Sequence, residues 1–277
     1  MKTMSYVVDV SWLAENYRRD NVVVLCASMG NPTKSISAGI PGAILADLEA
    51  EFSDPQALLP HTCPQNLQEV FARAGIYADT TVVVYDRFGM VCAPRIWWLA
   101  RIAGIKHVFV LNGGLPAWIQ AGHPIERILT LAEVETQGSI EANERPELIT
   151  DIRGVQQALA RSGHEVIDAR SAGRFAGVEP EPREGLYGGH IPGSVNIPYT
   201  SLFDDQGLLL PVSDLKRAFA SQIHDAQHLT FTCGSGVTAC VLALAAAEAG
   251  YENLVVYDGS WSEWGLPEMG QPVESVR

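Results

Sequence analysis

The chain has 277 residues, 47% of them apolar and 18% charged, with a formal net charge of −13. That length suits two domains, the composition is globular, and no run of ~20 apolar residues is available to span a bilayer. The negative charge repels nucleic acid and anionic membranes, so an anionic ligand has to be met by local positive charge. Met1–Val10 carries one lysine and no long apolar stretch, so no secretory signal is expected. Five cysteines (Cys26, Cys63, Cys92, Cys233, Cys240) form no C-x-x-C pair and are odd in number. A disulfide framework or a zinc site is therefore not expected, and a reducing cytoplasm fits.

Taken in chain order, the expected elements repeat. Strand Val22–Leu25 leads to Ile40-Pro-Gly-Ala43, and strand Thr81–Asp86 runs into a loop. A helix over Ala93–Ala103 follows, with Pro94 where a missing N–H costs nothing and Gly104 as a stop. Then come strand Val108–Leu111 and Asn112-Gly-Gly-Leu-Pro-Ala-Trp118. About 142–151 residues later the series returns as Glu165–Asp168, Ile191-Pro-Gly-Ser194, Leu229–Cys233, a helix to Ala249 before Gly250, Leu254–Tyr257 and Asp258-Gly-Ser-Trp-Ser-Glu-Trp264. Strands alternating with helices at this density imply parallel βαβ units with helices on both sheet faces. The expected organisation is a non-catalytic domain over 1–123, a linker over 124–147 and a catalytic domain over 148–277. Trp97, Trp98 and Trp118 read as packing residues.

The second copy carries the chemistry. Leu229-Thr-Phe-Thr-Cys233 ends a strand, Gly234-Ser235-Gly236-Val237-Thr238 makes a tight loop, and the alanine-rich run from Ala239 begins a helix. Loop N–H groups and the positive end of a helix dipole stabilise a thiolate placed there, so Cys233 reads as a nucleophile. A dinucleotide fingerprint would need a third glycine at fixed spacing. A cysteine phosphatase would need an arginine six residues after the cysteine to grip phosphate, and that position is Ala239. In the first copy Asp86 stands at the position of Cys233; a carboxylate is no sulfur nucleophile, so this domain is expected to be silent. Cys240 reads as a packed helix residue.

These residues resemble the tandem-domain rhodanese-type sulfurtransferases over nearly the whole chain. The resemblance rests on Cys92-Ala-Pro-Arg95 with Ile96-Trp-Trp98, Leu111-Asn-Gly-Gly114, Asp168-Ala-Arg-Ser-Ala-Gly-Arg-Phe175, Pro180-Glu-Pro-Arg183, Gly189-His-Ile-Pro-Gly193, Tyr257-Asp-Gly-Ser-Trp261 and the cysteine loop. The loop Cys-Gly-Ser-Gly-Val-Thr is similar to the 3-mercaptopyruvate branch of that family, whereas the thiosulfate branch carries basic residues after the cysteine.

The resemblance implies two tandem rhodanese-like α/β domains and a transfer of sulfur from 3-mercaptopyruvate, through a Cys233 persulfide, to a thiol or cyanide. No metal or organic cofactor is needed. Arg174 and Arg183 are the implied substrate-binding residues and Cys233 and Ser235 the catalytic ones; a thioredoxin-like protein or a small thiol is the implied acceptor. Arg170, Asp168 and His190 read as structural. The family's Ser–His–acid relay matches Ser235 and Glu49, but its histidine position falls on Ala57, and the nearby His61 reads as a solvated surface side chain. Thiosulfate as the better donor, or a non-catalytic persulfide carrier, are the alternative readings.

Overall fold

Valine- and leucine-rich runs supply the strands of a computed structural model that describes residues 5–141, 143–223 and 226–275. The chain divides into two units. The first comprises the chain up to Gln56, Cys63–Arg145 and Asp205–Leu208; the second comprises Ala57–Thr62, Pro146–Asp204 and the chain from Leu209 on.

In the first unit, strands β1 (Val7–Val8), β2 (Val22–Ser28), β3 (Ile44–Asp47), β4 (Thr81–Asp86) and β5 (Val108–Leu111) form a sheet in the order β1-β5-β4-β2-β3. Its helices are α1 (Val10–Asn16), α2 (Thr33–Ser37), α3 (Leu67–Arg73), α4 (Ala93–Ile102) and α5 (Gly114–Gln120). In the second unit, β6 (Ile149–Thr150), β7 (His164–Asp168), β8 (Val195–Asn196), β9 (His228–Thr232) and β10 (Asn253–Tyr257) form a sheet in the order β6-β10-β9-β7-β8. Its helices are α6 (Ile152–Leu159), α7 (Ala172–Ala176), α8 (Val212–Ala220), α9 (Ala239–Ala249) and α10 (Ser260–Trp264). Every pairing in both sheets is parallel. The two orders are the same permutation, as the repeat in the sequence implies.

The ladders also fix which residues correspond. Val84 pairs with Leu25 and Val110, and Phe231 pairs with Ile167 and Val256. Asp86 and Cys233 each lie two residues beyond, at the same rung. Tryptophans fill the cores: Trp118 packs with Leu13, Tyr85, Leu111 and Ile128 in the first unit. Trp261 and Trp264 pack with Val155, Val166 and Ile191 in the second. Trp97 and Trp98 are fully buried as well.

Helix α9 is apolar almost all round, and the structure gives the reason. It contacts β9 and β10 on one side and α8 on another, leaving most of its residues buried. A helix covered on several sides has no polar stripe to present. It stops at Gly250, whose φ of +94° brings its N–H back to the Ala246 and Ala247 carbonyls.

The stretch 124–147 is tied down at several points. Glu126 forms an antiparallel bridge with Gly39, Leu129 exchanges backbone hydrogen bonds with Ala43 and Leu45, and Ile128 and Leu131 are buried. A capping box between Thr130 and Glu133 starts a short helical turn there.

Candidate active site

Residues His228–Thr232 form a central strand because Leu229 and Phe231 bury apolar side chains while β7 and β10 pair on either side. Cys233 follows at the carboxyl end of this strand, where open α/β sheets place ligands. Its side chain is 1% exposed. The loop is stapled from behind by the first turn of α10. Cys233 N–H donates to Ser260 Oγ at 3.2 Å, and the Cys233 carbonyl accepts from Trp261 N–H at 2.9 Å. The Gly234 carbonyl accepts from the Ser262 N–H at 2.8 Å and the Ser262 hydroxyl at 2.6 Å. Gly236 sits at φ +75°, a left-handed conformation that glycine adopts without strain. Its carbonyl accepts the Cys240 thiol at 3.3 Å, so Cys240 is a buried residue holding the loop. Among the described residues, no acceptor takes the N–H groups of Ser235, Gly236, Val237, Thr238 or Ala239.

Ser235 is 8% exposed and its hydroxyl lies 3.0 Å from His61 Nδ1. This overturns the expectation that His61 is a solvated surface histidine: it is buried, with 6% exposed. The histidine that meets Ser235 stands four residues after Ala57. The segment Ala57–Thr62 belongs to the second unit, and His61 adopts a left-handed φ of 57°, so a loop of irregular length delivers the ring. Sequence position alone had no means of counting that loop. Glu49, the acid matched from the sequence, accepts the Gly30 N–H at 3.0 Å in the first unit.

The arginines form an ordered network. Arg170 is fully buried, doubly bonded to Asp168 (Nη2–Oδ2 2.7 Å, Nε–Oδ1 3.1 Å), and lies over the Trp261 ring at 4.2 Å. Burial presses its pKa down, but Asp168 and then Glu181 more than offset this, leaving it above the usual arginine value. Glu181, also buried, bridges Arg170 Nη1 at 2.7 Å and Arg174 Nη2 at 2.6 Å, with Arg174 Nε at 3.3 Å. Arg174 therefore spends its Nε/Nη2 fork on Glu181, which holds the guanidinium against the loop. A Cβ built at Gly234 would meet Arg174 Nη2 at 3.0 Å. Arg183 is exposed and its Nη1 donates to Ser262 Oγ at 3.3 Å, the hydroxyl that binds the Gly234 carbonyl. Both arginines thus converge on Gly234. His190 Nδ1 contacts the Phe175 carbonyl at 2.8 Å and its ring stacks on Phe175, a structural arrangement. Glu181, Ser260, Ser262 and His61 were not assigned roles from sequence; Glu181 sits inside the Pro180-Glu-Pro-Arg183 motif, which is the signal that marked its neighbourhood.

The first unit fills the same rung differently. The Asp86 carboxylate is fully buried: Oδ1 accepts from Phe88 and Met90 N–H at 2.8 and 3.1 Å, and Oδ2 from Cys92 and Ala93 N–H at 2.8 and 2.7 Å.

Comparison with known proteins agrees with this geometry. The Rhodanese-like domain family model matches residues 9–121 and again 152–266. The 3-mercaptopyruvate sulfurtransferase of Escherichia coli K12 is 35% identical, covering 99% of each chain. Thiosulfate/3-mercaptopyruvate sulfurtransferase 1, mitochondrial, of Arabidopsis thaliana is 36% identical over all of this chain and 80% of its own length. The thiosulfate sulfurtransferase of Rattus norvegicus is 36% identical, over 93% of this chain and 91% of its own. Among solved structures, the 3-mercaptopyruvate sulfotransferase SseA of Escherichia coli superposes with a TM-score of 0.80 at 33% identity, covering 94% of this chain and 100% of SseA. These matches bear out the two-domain parallel α/β fold. The chain belongs to the tandem rhodanese-domain sulfurtransferases.

Proposed function

We propose that the chain takes the sulfur of 3-mercaptopyruvate onto Cys233 and passes it to a thiol. The Cys233 thiolate attacks the donor's sulfur, the C–S bond breaks, and its electron pair moves to C3 as the enolate of pyruvate. A proton at C3 completes pyruvate, and Cys233 holds the sulfur as a persulfide. An acceptor thiolate then attacks the outer sulfur and regenerates Cys233, a double displacement. Ser235, backed by His61, is placed to take the donor's thiol proton and return one to C3.

The observation that carries this reading is the loop directly after Cys233, in which the N–H groups of Ser235 to Ala239 find no acceptor among the described residues. Donors fixed in this way stabilise charge as it develops on sulfur and oxygen without reorganising. Arg183 and the remaining Nη1 of Arg174 suit a carboxylate. The charge balance favours a monoanion: Glu181 neutralises one guanidinium, and Gly234-Ser235 adds no cation. Thiosulfate is the second reading, favoured by the rat and Arabidopsis relatives named for it. Initial rates with the two donors and one common acceptor decide between them: faster pyruvate release from 3-mercaptopyruvate supports the first, and preference for thiosulfate contradicts it. Turnover with either excludes a passive persulfide carrier.

The proposed acceptor is a thioredoxin-like protein or small thiol. The nucleophile and its loop are assigned to 148–277; 1–123 has no nucleophile of its own at the matching rung, although His61 comes from that stretch of sequence, and 124–147 is the proposed connection. Among the described residues no helix is long and apolar enough to cross a membrane, and a cytoplasmic location is proposed from the five unpaired cysteines.

A further inference from the structure

We infer that the first unit carries a binding site for a small phosphate- or carboxylate-bearing anion, at the end of its sheet opposite the Asp86 loop. A cavity of about 550 Å³ is lined there by Tyr6, Arg101, Lys106 and Arg145, with Glu141 and Asn143 at its side. Tyr6 precedes β1, Lys106 precedes β5 and Ala78, also on the lining, precedes β4. Because the strands are parallel, the cavity lies at their amino ends, and Asp86 lies at the carboxyl end of β4.

Three cations and one carboxylate line this space, in a chain whose formal net charge is −13. An excess of positive charge so placed against the overall balance is the local attraction that an anionic ligand requires. Arg101 is the fixed point. Its guanidinium stands over the rings of Tyr6, Trp97 and Trp98 at 5.0, 4.8 and 5.0 Å. Three aromatic faces hold the cation in one orientation before any ligand arrives. They cover its faces, while one in-plane donor, Arg101 Nη1, is buried with no hydrogen-bond partner among the described residues. Burial, and then the neighbouring Arg145, lower the Arg101 pKa, a strain on the cation that a bound anion relieves. Lys106 and Arg145 are exposed on the rim. Arg145 is anchored to the same helix end as Arg101 by its N–H to the Ile102 carbonyl at 2.8 Å. A planar guanidinium donates to phosphate or carboxylate oxygens through a fork, with the lysine adding a point charge.

The test is calorimetric titration of the whole protein with inorganic pyrophosphate and, separately, with citrate, at constant ionic strength. Saturable one-site binding of either probe is expected; pyrophosphate alone marks a phosphate ligand and citrate alone a carboxylate, and both outcomes support the site. Lys106→Ala and Arg145→Ala should each weaken binding about tenfold, and Arg101→Met should abolish it. If Arg101→Met does not fold, the two rim variants decide. Cys233→Ser should bind as the wild type does. Absence of saturable binding with both probes, an unchanged isotherm in Lys106→Ala/Arg145→Ala, or loss of binding in Cys233→Ser would overturn the proposal.

Discussion

The two strand-end loops occupy the same rung of the same fold and treat a negative charge in opposite ways. In the first unit the chain supplies its own anion: Asp86 gathers four backbone N–H groups and is sealed from water. In the second, Cys233 replaces the carboxylate, the loop is one residue shorter, and five N–H groups keep no acceptor among the described residues. A carboxylate that satisfies its donors stabilises a loop and ends its chemistry. A thiol that leaves them unsatisfied gives up stability and keeps a place for a charged reactant, the usual exchange at functional sites.

The sharpest way to break that contrast is to remove the nucleophile. Cys233→Ser should lower sulfurtransferase turnover by on the order of 10³-fold or more, because a hydroxyl forms no persulfide. Its urea midpoint should stay close to that of the wild type. Asp86→Ala should do the reverse. Three buried donors and the part-buried Phe88 N–H lose their acceptor, at ~1–3 kcal/mol for each buried one left unsatisfied, so even with water entering we expect about 3–5 kcal/mol of lost stability in the unfolding of the first unit. Asp86→Asn, which keeps one accepting oxygen, should fall between. An Asp86→Ala protein as stable as the wild type would mean the carboxylate is not what closes that loop.

Glu181 sharpens the comparison within the second unit. Its carboxylate holds Arg174 against Gly234 and cancels one positive charge. Glu181→Gln should lower kcat/KM for 3-mercaptopyruvate about tenfold, since ~1.4 kcal/mol of positioning corresponds to that factor. The same change leaves the site more positive, so the thiosulfate-to-mercaptopyruvate ratio of kcat/KM should rise, and added salt should reduce the rise. An unmoved ratio would show that charge balance does not set donor choice. Gly234→Ala tests the contact from the other side: its Cβ would meet Arg174 Nη2 at 3.0 Å. The flexible guanidinium has to give by a few tenths of an ångström, raising KM severalfold while kcat changes less.

The smallest effect lies at the amino end of the second sheet. His164 and His228 face each other across β7 and β9 with ring centroids 4.5 Å apart. Desolvation, then His228 and Arg161, lower the His164 pKa below its usual 6.5. The unfolded chain therefore binds more protons just below pH 6.5, and stability falls as the pH drops through that window. His228→Asn should raise the His164 pKa, followed by NMR titration, and flatten this slope.

Much of this was legible in the sequence, for identifiable reasons. The repeat gave the topology because corresponding strands keep nearly constant offsets, and Thr81–Asp86 and Val108–Leu111 match the strands residue for residue. Cys233 was visible because a strand, a glycine-rich turn and an apolar helix adjoin in sequence. His61 was misread because its contact spans 174 positions and arrives on an irregular loop, where neither period nor spacing carries information. Glu181 was overlooked for a related reason: a carboxylate between two prolines looks solvent-facing until two arginines from the preceding segment are seen to bury it.

The most direct test of the contrast between the loops is to treat the wild-type protein once with 3-mercaptopyruvate and no acceptor, then locate the retained sulfur by intact mass and peptide mapping. One added sulfur atom on the peptide that carries both Cys233 and Cys240, placed on Cys233 by fragmentation of that peptide, and none on the Cys92 peptide, is the predicted result. Sulfur found on Cys92 or Cys240, or an unlabelled Cys233 in an enzyme that still releases pyruvate, would contradict it.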